Sequence, residues 1–336
     1  MLRRILAAAI LVALAIALLV VAWPQLIGLQ RTAGIAQLVA LRGLAITVAV
    51  VAIAGLGLLI VIFRPIRRFA ASVAVLLLAF ALINAAVLAT RGIGDMGFAT
   101  AAPRSVTVLA WNTLGDAPGA KAIAQLALDS GADVVSLPET TKATGQAVAD
   151  AMTAGGREMQ AFTIAFDQVS KARSTTLLIS ADLGAYVVDE AEPNSAVLPT
   201  VIARPVSGTG PTIMAVHLVA PIPGEMAHWS DDLAWLSSAC SEPSTIIAGD
   251  FNSTLDHFSG LATADGATLG HCIDAAAASD NAGVGTWPTA LPTLLGSPID
   301  HVMATPNWRV TGMRVIENYD TYGSDHRPVL AQLTPR

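Results

Sequence analysis

Three uncharged apolar runs open the chain: Ile5 to Ala22, Leu44 to Phe63 and Phe69 to Leu88, of 18, 20 and 20 residues. A helix needs about 20 apolar residues to cross a bilayer, so each run is long enough to span one. Arg3 and Arg4 give the first run the basic start of a signal peptide, but its apolar core exceeds the ~7–15 residues of a cleaved signal and two more runs follow. The arginines set an orientation, because cytoplasmic flanks collect them. Arg3 and Arg4 precede the first run and Arg64, Arg67 and Arg68 fill the link between the second and third, whereas Arg31, Arg42 and Arg91 are scattered on the other side. That bias puts the N-terminus inside the cell and everything after the third run in the extracytoplasmic space. Within the runs only Asn84 is strongly polar. A transporter or channel would carry ionisable groups there, so residues 1–98 read as a membrane anchor.

Residues 99–336 are long enough to form one α/β unit with a core of its own. Beyond residue 98 stand 11 Lys and Arg against 24 Asp and Glu, a formal charge of −13. Non-specific binding of nucleic acid draws on a basic surface that releases counterions, and an acidic domain without a Lys/Arg cluster works against it. Both cysteines, Cys240 and Cys272, lie in this domain, and no Cys/His spacing resembles a zinc site. Cysteines in an oxidising compartment tend to pair. Cys240 ends an expected helix and Cys272 starts a short strand beyond the next loop, so a disulfide between them is expected.

Short β-rich runs alternate here with helical ones, and polar residues gather where the runs stop. Ser105 to Trp111 alternates as a strand closed by Asn112, and a helix over Gly119–Ser130 ends at Gly131. Asp133 to Leu137 is a buried-type strand followed by Pro138 and Glu139, with a second helix over Gly145–Ala154. Four β runs follow, Ala161–Phe166, Thr175–Ser180, Ala185–Asp189 and Thr200–Val206, and the last makes a hairpin with Thr212–Leu218. His217 falls late in that strand, where a lone His is more often structural than catalytic. A helix over Glu225–Ala239 leads to Ile246, Ile247, Ala248, Gly249, Asp250, Phe251 and Asn252, an apolar strand that stops at a glycine, an acid and an amide. A carboxylate and an amide so spaced can orient a water beside a hard metal ion, although four residues alone read equally well as a turn. Further on come a turn at Gly285-Thr286-Trp287-Pro288, a strand over Pro298–Met303 that contains Asp300, a strand over Trp308–Glu317, and Ser324-Asp325-His326-Arg327 before the final strand.

The ordered set Asn112, Glu139, His217, Asp250, Asn252, Asp300, Asp325 and His326 sits in the motifs WN, PE, HL, GDFN, IDHV and SDHRP. It resembles the endonuclease/exonuclease/phosphatase family from Ser105 to the C-terminus, with GDFN and SDH as the specific elements. The resemblance implies a four-layer α/β/β/α sandwich, two packed mixed sheets flanked by helices. It also implies a phosphoesterase that uses magnesium, or manganese in its place, held by Asn112, Glu139 and Asp325. Such a reaction needs a water nucleophile and charge relief on the phosphoryl oxygens. Asp250 would orient or deprotonate the water and Asn252 would donate to a phosphoryl oxygen. His326, braced by Asp300, would contact the phosphate as a cation, with His217 as the second imidazole. The chain departs from the family pattern at Pro138, where Gln usually precedes the Glu, and at Leu114, where some members carry an acid. No carboxylate that braces His217 is evident either. These gaps weaken the nuclease branch more than the family. The expected substrate is a phosphomonoester or phosphodiester, whether phospholipid headgroup, small phosphoester or nucleic acid, and no protein partner is predicted. A catalytically silent binding or scaffold module is the alternative; a missing acid or imidazole would signal it, and none is missing.

Overall fold

The computed structural model describes residues 1–336 apart from 95, 96, 168, 191–193 and 242. It separates into two compact units, Met1–Arg91 and Gly92–Arg336. The first holds helices α1 (Leu2–Ala22), α2 (Ile35–Ala40), α3 (Arg42–Ile62) and α4 (Arg67–Arg91). Of these, α1, α3 and α4 are long and apolar enough to cross a membrane. Arg42, which precedes the second apolar run, is the buried first residue of α3. It donates through Nη1 to Ala22 O at the end of α1 (3.0 Å) and to Asn84 Oδ1 in α4 (2.6 Å). One guanidinium thereby satisfies a helix-terminal carbonyl and a buried amide.

The second unit starts earlier than residue 99. Gly283 donates its N–H to Gly92 O (2.8 Å), Gly94 to Asp280 O (3.3 Å) and Ala99 to Thr311 O (2.9 Å), so the boundary falls at residue 91. Its strands are β1 (Val106–Ala110), β2 (Val134–Pro138), β3 (Met159–Ala165), β4 (Ser174–Ser180), β5 (Tyr186–Val188), β6 (Val201–Pro205), β7 (Thr212–His217), β8 (Thr245–Asp250), β9 (Ile273–Asp274), β10 (Asp300–Ala304), β11 (Trp308–Val315) and β12 (Val329–Pro335). Its helices are α5 (Gly119–Asp129), α6 (Lys142–Ala154), α7 (Met226–Ala239) and α8 (Ala275–Ala278). The second of these starts three residues ahead of the expected Gly145, because Thr141 Oγ1 accepts from the Thr144 N–H as an N-cap.

The strands form two six-stranded sheets, ordered β11-β12-β1-β2-β4-β3 and β5-β6-β7-β8-β10-β9. Each is mixed, with one parallel pair, β1 with β2 and β7 with β8. Successive side chains of a strand face opposite ways. Val108, Val134, Leu177 and Ile179 enter the core between the sheets, where they meet Ile213, Ala215, Ile246 and Ala248. Leu109, Val135, Leu137 and Leu178 turn outward to Ile123, Val148 and Met152 of α5 and α6. The helix α7 links β7 to β8 and buries Trp229, Leu233 and Leu236. This is the sandwich that the motifs imply. Cys240 and Cys272, with Cα atoms 5.8 Å apart, form the expected disulfide and pin the end of α7 beside β9.

Candidate active site

Strand register delivers the polar residues to one end of the sandwich. His217 at the end of β7 lies level with Asp250 at the end of β8, and Asp300 opens β10 opposite Asp250. One row across three strands thus carries all three. In the other sheet Ala110 pairs with both Ser136 and Val329. Asn112 and Glu139 therefore follow neighbouring strand ends, and Asp325 and His326 precede the strand beside them.

Asp250 is the buried hub. Its Oδ2 accepts from Asn112 Nδ2 (3.0 Å) and its Oδ1 from the Asn252 N–H (2.8 Å). The same Oδ2 lies 3.9 Å from His217 Nε2 and 3.8 Å from His326 Nε2. Asn112 Nδ2 also donates to Glu139 Oε1 (3.2 Å), which stands 3.8 Å from His217 Nε2. His326 Nδ1 is hydrogen-bonded to Asp300 Oδ2 (2.9 Å), and its Nε2 is 3.9 Å from Asp325 Oδ1. Every residue singled out in the sequence belongs to this one cluster.

The backbone is locally forced into place. Gly249 has φ of +144°, and a Cβ there would sit 2.0 Å from Val216 O, so only glycine lets the strand end approach β7 this closely. Glu139 and Asn252 take left-handed φ values of +58° and +46°. A non-glycine residue held there costs about 1–3 kcal/mol, and such strain concentrates at functional sites.

Electrostatics separates the two imidazoles. Burial, and then the charge on His326, depress His217 to about 3. For His326, burial also opposes the charged form, but the carboxylates of Asp300 and Asp250 outweigh it and hold the ring well above its usual value. At neutral pH the cluster therefore has one neutral imidazole and one imidazolium. Burial pushes both Asp250 and Glu139 up; the Asp300 charge adds to the first and the Asp325 charge to the second. Among the described residues no carboxylate braces His217 Nδ1, which makes no hydrogen bond of ordinary geometry; the Ala172 backbone is the weakest of the influences on its proton.

Two amides are used differently from the sequence expectation. Asn112 Oδ1 accepts from the Leu114 N–H (3.0 Å), which turns its N–H groups, not its oxygen, toward the acids. Asn252 Nδ2 donates to Leu218 O (2.9 Å) and Asp250 Oδ2 (3.3 Å), so its donors already have acceptors in the protein. The reason is that neighbouring buried carboxylates need donors between them, and the amides are the neutral groups at hand. Other partners lay beyond sequence reasoning. Trp287 Nε1 donates to Asp325 Oδ2 (2.9 Å), and Ser324 Oγ donates to Asn112 O (2.6 Å) while accepting from the His326 N–H (3.0 Å). Thr286 Oγ1 accepts from the Asp300 N–H (3.1 Å). In the sequence Thr286 and Trp287 signal only a turn.

The donor set fits a hard cation. Asp325 Oδ1 is buried without a hydrogen-bond partner, and its charge bears on Glu139, though less than that of His326 does. Carboxylate oxygens are the ligands that magnesium or manganese takes. Asn112 would join them only with its amide reversed. Asp250, Asp300 and His326 also bring ligand atoms within 4.8 Å of one another. There, however, the charged ring of His326 is committed to Asp300 and repels a cation.

Residues 109–326 match the model of the Endonuclease/Exonuclease/phosphatase family. Among solved structures the chain is similar to an endonuclease/exonuclease/phosphatase from Bacteroides vulgatus, at 17% identity and a TM-score of 0.51, over 69% of this chain and 99% of that one. It is also similar to a D. rerio TDP2 humanized by 14 mutations, at 16% identity and a TM-score of 0.52, over 68% of this chain and 99% of that one. At such identities the likeness speaks for the fold alone. None of the curated proteins matches the sequence.

Proposed function

The chain belongs to the endonuclease/exonuclease/phosphatase family, hydrolases of phosphoester bonds, and we propose that it is a membrane-anchored, extracytoplasmic, magnesium-dependent phosphoesterase. The observation that carries this reading is the opposed pair of imidazoles around Asp250, one neutral and one charged. A phosphoryl group at the cluster meets the His326 imidazolium, which Asp300 holds in orientation and in charge. That charge stabilises the negative charge that grows on the phosphoryl oxygens. Asp250, with its proton affinity raised by burial, accepts a proton from the attacking water. His217, neutral, offers Nε2 to the same region without adding a competing charge. Asn112 and Asn252 hold the Asp250 carboxylate in place. Glu139 and Asp325, with Asn112, would hold the divalent cation, which neutralises charge on the phosphoryl and leaving oxygens when bound.

The full chain in detergent micelles, offered phosphomonoesters, phosphodiesters and phospholipids, should hydrolyse at least one class with magnesium and none with chelator. No hydrolysis of any class under either condition would refute the reading. Orientation follows from the five clustered arginines against three dispersed ones. Protease added to intact cells should therefore remove the second unit; complete protection would reverse the topology.

A further inference from the structure

The second unit exposes large apolar side chains unevenly. Leu114, Phe166, Val169, Ile222, Leu294 and Tyr322 are all exposed, Val169 to 90% and Ile222 to 53%. The register puts every one of them at the end of the sandwich that carries Asp250. Leu114 follows β1 two residues after Asn112. Ala165 pairs with Ser174, beside the Pro138 and Thr175 pair, so the turn between β3 and β4 that carries Phe166 and Val169 lies at that end too. Ile222 is in the loop that leaves His217, Leu294 in the loop that enters Asp300, and Tyr322 in the loop that enters Asp325. The other exposed large apolar residues of this unit, among the described residues, are Ile93, Val187 and Val206.

The loops that carry Ile222 and Leu294 are also free of charge. Residues 218–224 and 285–299 contain no Asp, Glu, Lys or Arg, although the domain beyond residue 98 has a formal charge of −13. Uncharged loops lose little on leaving water, whereas the acidic remainder is repelled by an anionic lipid surface.

We propose that this end rests, through its exposed apolar side chains, on the bilayer that holds the apolar helices, and that the substrate is a phosphoester carried in that bilayer as a lipid headgroup. The substrate class rests on the phosphoesterase reading; the docking does not. Apolar side chains around a polar cluster gain free energy by entering the headgroup boundary, and there they bring the cluster to the phosphates.

The test uses the full chain in vesicles of phosphatidylcholine and phosphatidylglycerol. The native cysteines are paired, so Ile222→Cys, Leu294→Cys and Val206→Cys each accept a single fluorescent label. Spin-labelled lipid should quench the labels at 222 and 294 several-fold more than the label at 206. Equal quenching at all three, or none at 222 and 294, overturns the docking. With magnesium, wild type should hydrolyse both the vesicle lipid and a water-soluble aryl phosphodiester. In the Ile222→Ser/Leu294→Ser double variant the ratio of the first rate to the second should fall about ten-fold, the scale of two lost apolar insertions. An unchanged ratio overturns the lipid assignment. Hydrolysis of the soluble ester with intact lipid overturns it too and leaves the phosphoesterase reading standing. Failure with both substrates overturns the phosphoesterase reading and the lipid assignment together.

Discussion

Replacing Asp250 by Asn should lower kcat by about 10²–10³-fold while the magnesium concentration for half-maximal activity hardly moves. The amide is the same size but has one oxygen where the Asn112 side chain and the Asn252 N–H use two, so one of these bonds is lost while the fold should survive. What disappears is the anion between the imidazoles and the acceptor for the water's proton. Asp250 is also, after Asp300, the carboxylate that does most to hold His326 charged, so the variant weakens the imidazolium as well. Asp300→Asn should give a milder loss with a distinct signature. The His326 charge is kept up to a pH above the ordinary value and is lost as pH rises through the raised one. Removing Asp300 therefore moves the alkaline limb of the pH–rate profile down toward about 6.5. His217 has the opposite sign: its neutral form is favoured in the fold, so stability drains away as pH falls from about 6.5 toward its depressed value. A kcat for Asp250→Asn within a few-fold of wild type would remove this carboxylate from the chemistry.

Glu139→Gln should separate cleanly from that result, since the magnesium requirement itself should rise by about 10–100-fold or more. Gln keeps an oxygen for Asn112 Nδ2 but loses the charge that attracts a dication. Without metal, the same substitution should be tolerated or mildly stabilising, because burial already disfavours the ionised Glu139. Metal titrations of activity in parallel with thermal unfolding in chelator would check both halves. An unchanged metal requirement would show that Glu139 is no ligand and that its left-handed backbone has another cause.

Much of the architecture was legible because it depends on local pattern. Alternation marked β1, an apolar stretch ending in glycine and acid marked β8, and uncharged length marked α1, α3 and α4. Most boundaries moved by a residue or a few, as for α6, whose start depends on a capping bond and not on periodicity. The larger shift, at Gly92, came from backbone contacts with Asp280 and Gly283 that no pattern in residues 92–98 announces.

The site divides in the same way. The sequence by itself determined which side chains stand at strand ends, because where an apolar run meets a glycine, an acid or an amide is a property of neighbouring residues. Asn112, Glu139 and Asp250 stand at such junctions, whereas His326 is selected through the resemblance of its motif. Only the tertiary structure decided what each of them faces. His217 comes level with Asp250 through parallel pairing and Asp300 through antiparallel pairing, and Trp287 reaches Asp325 across 38 residues of chain. Protonation was decided there too. His217 and His326 are the same residue type, yet burial leaves the first neutral while Asp300 and Asp250 keep the second charged. A side chain's ionisation depends on the charges and the solvent within a few ångströms of it, and those are set by how strands pair across the sandwich and not by the order of residues along it.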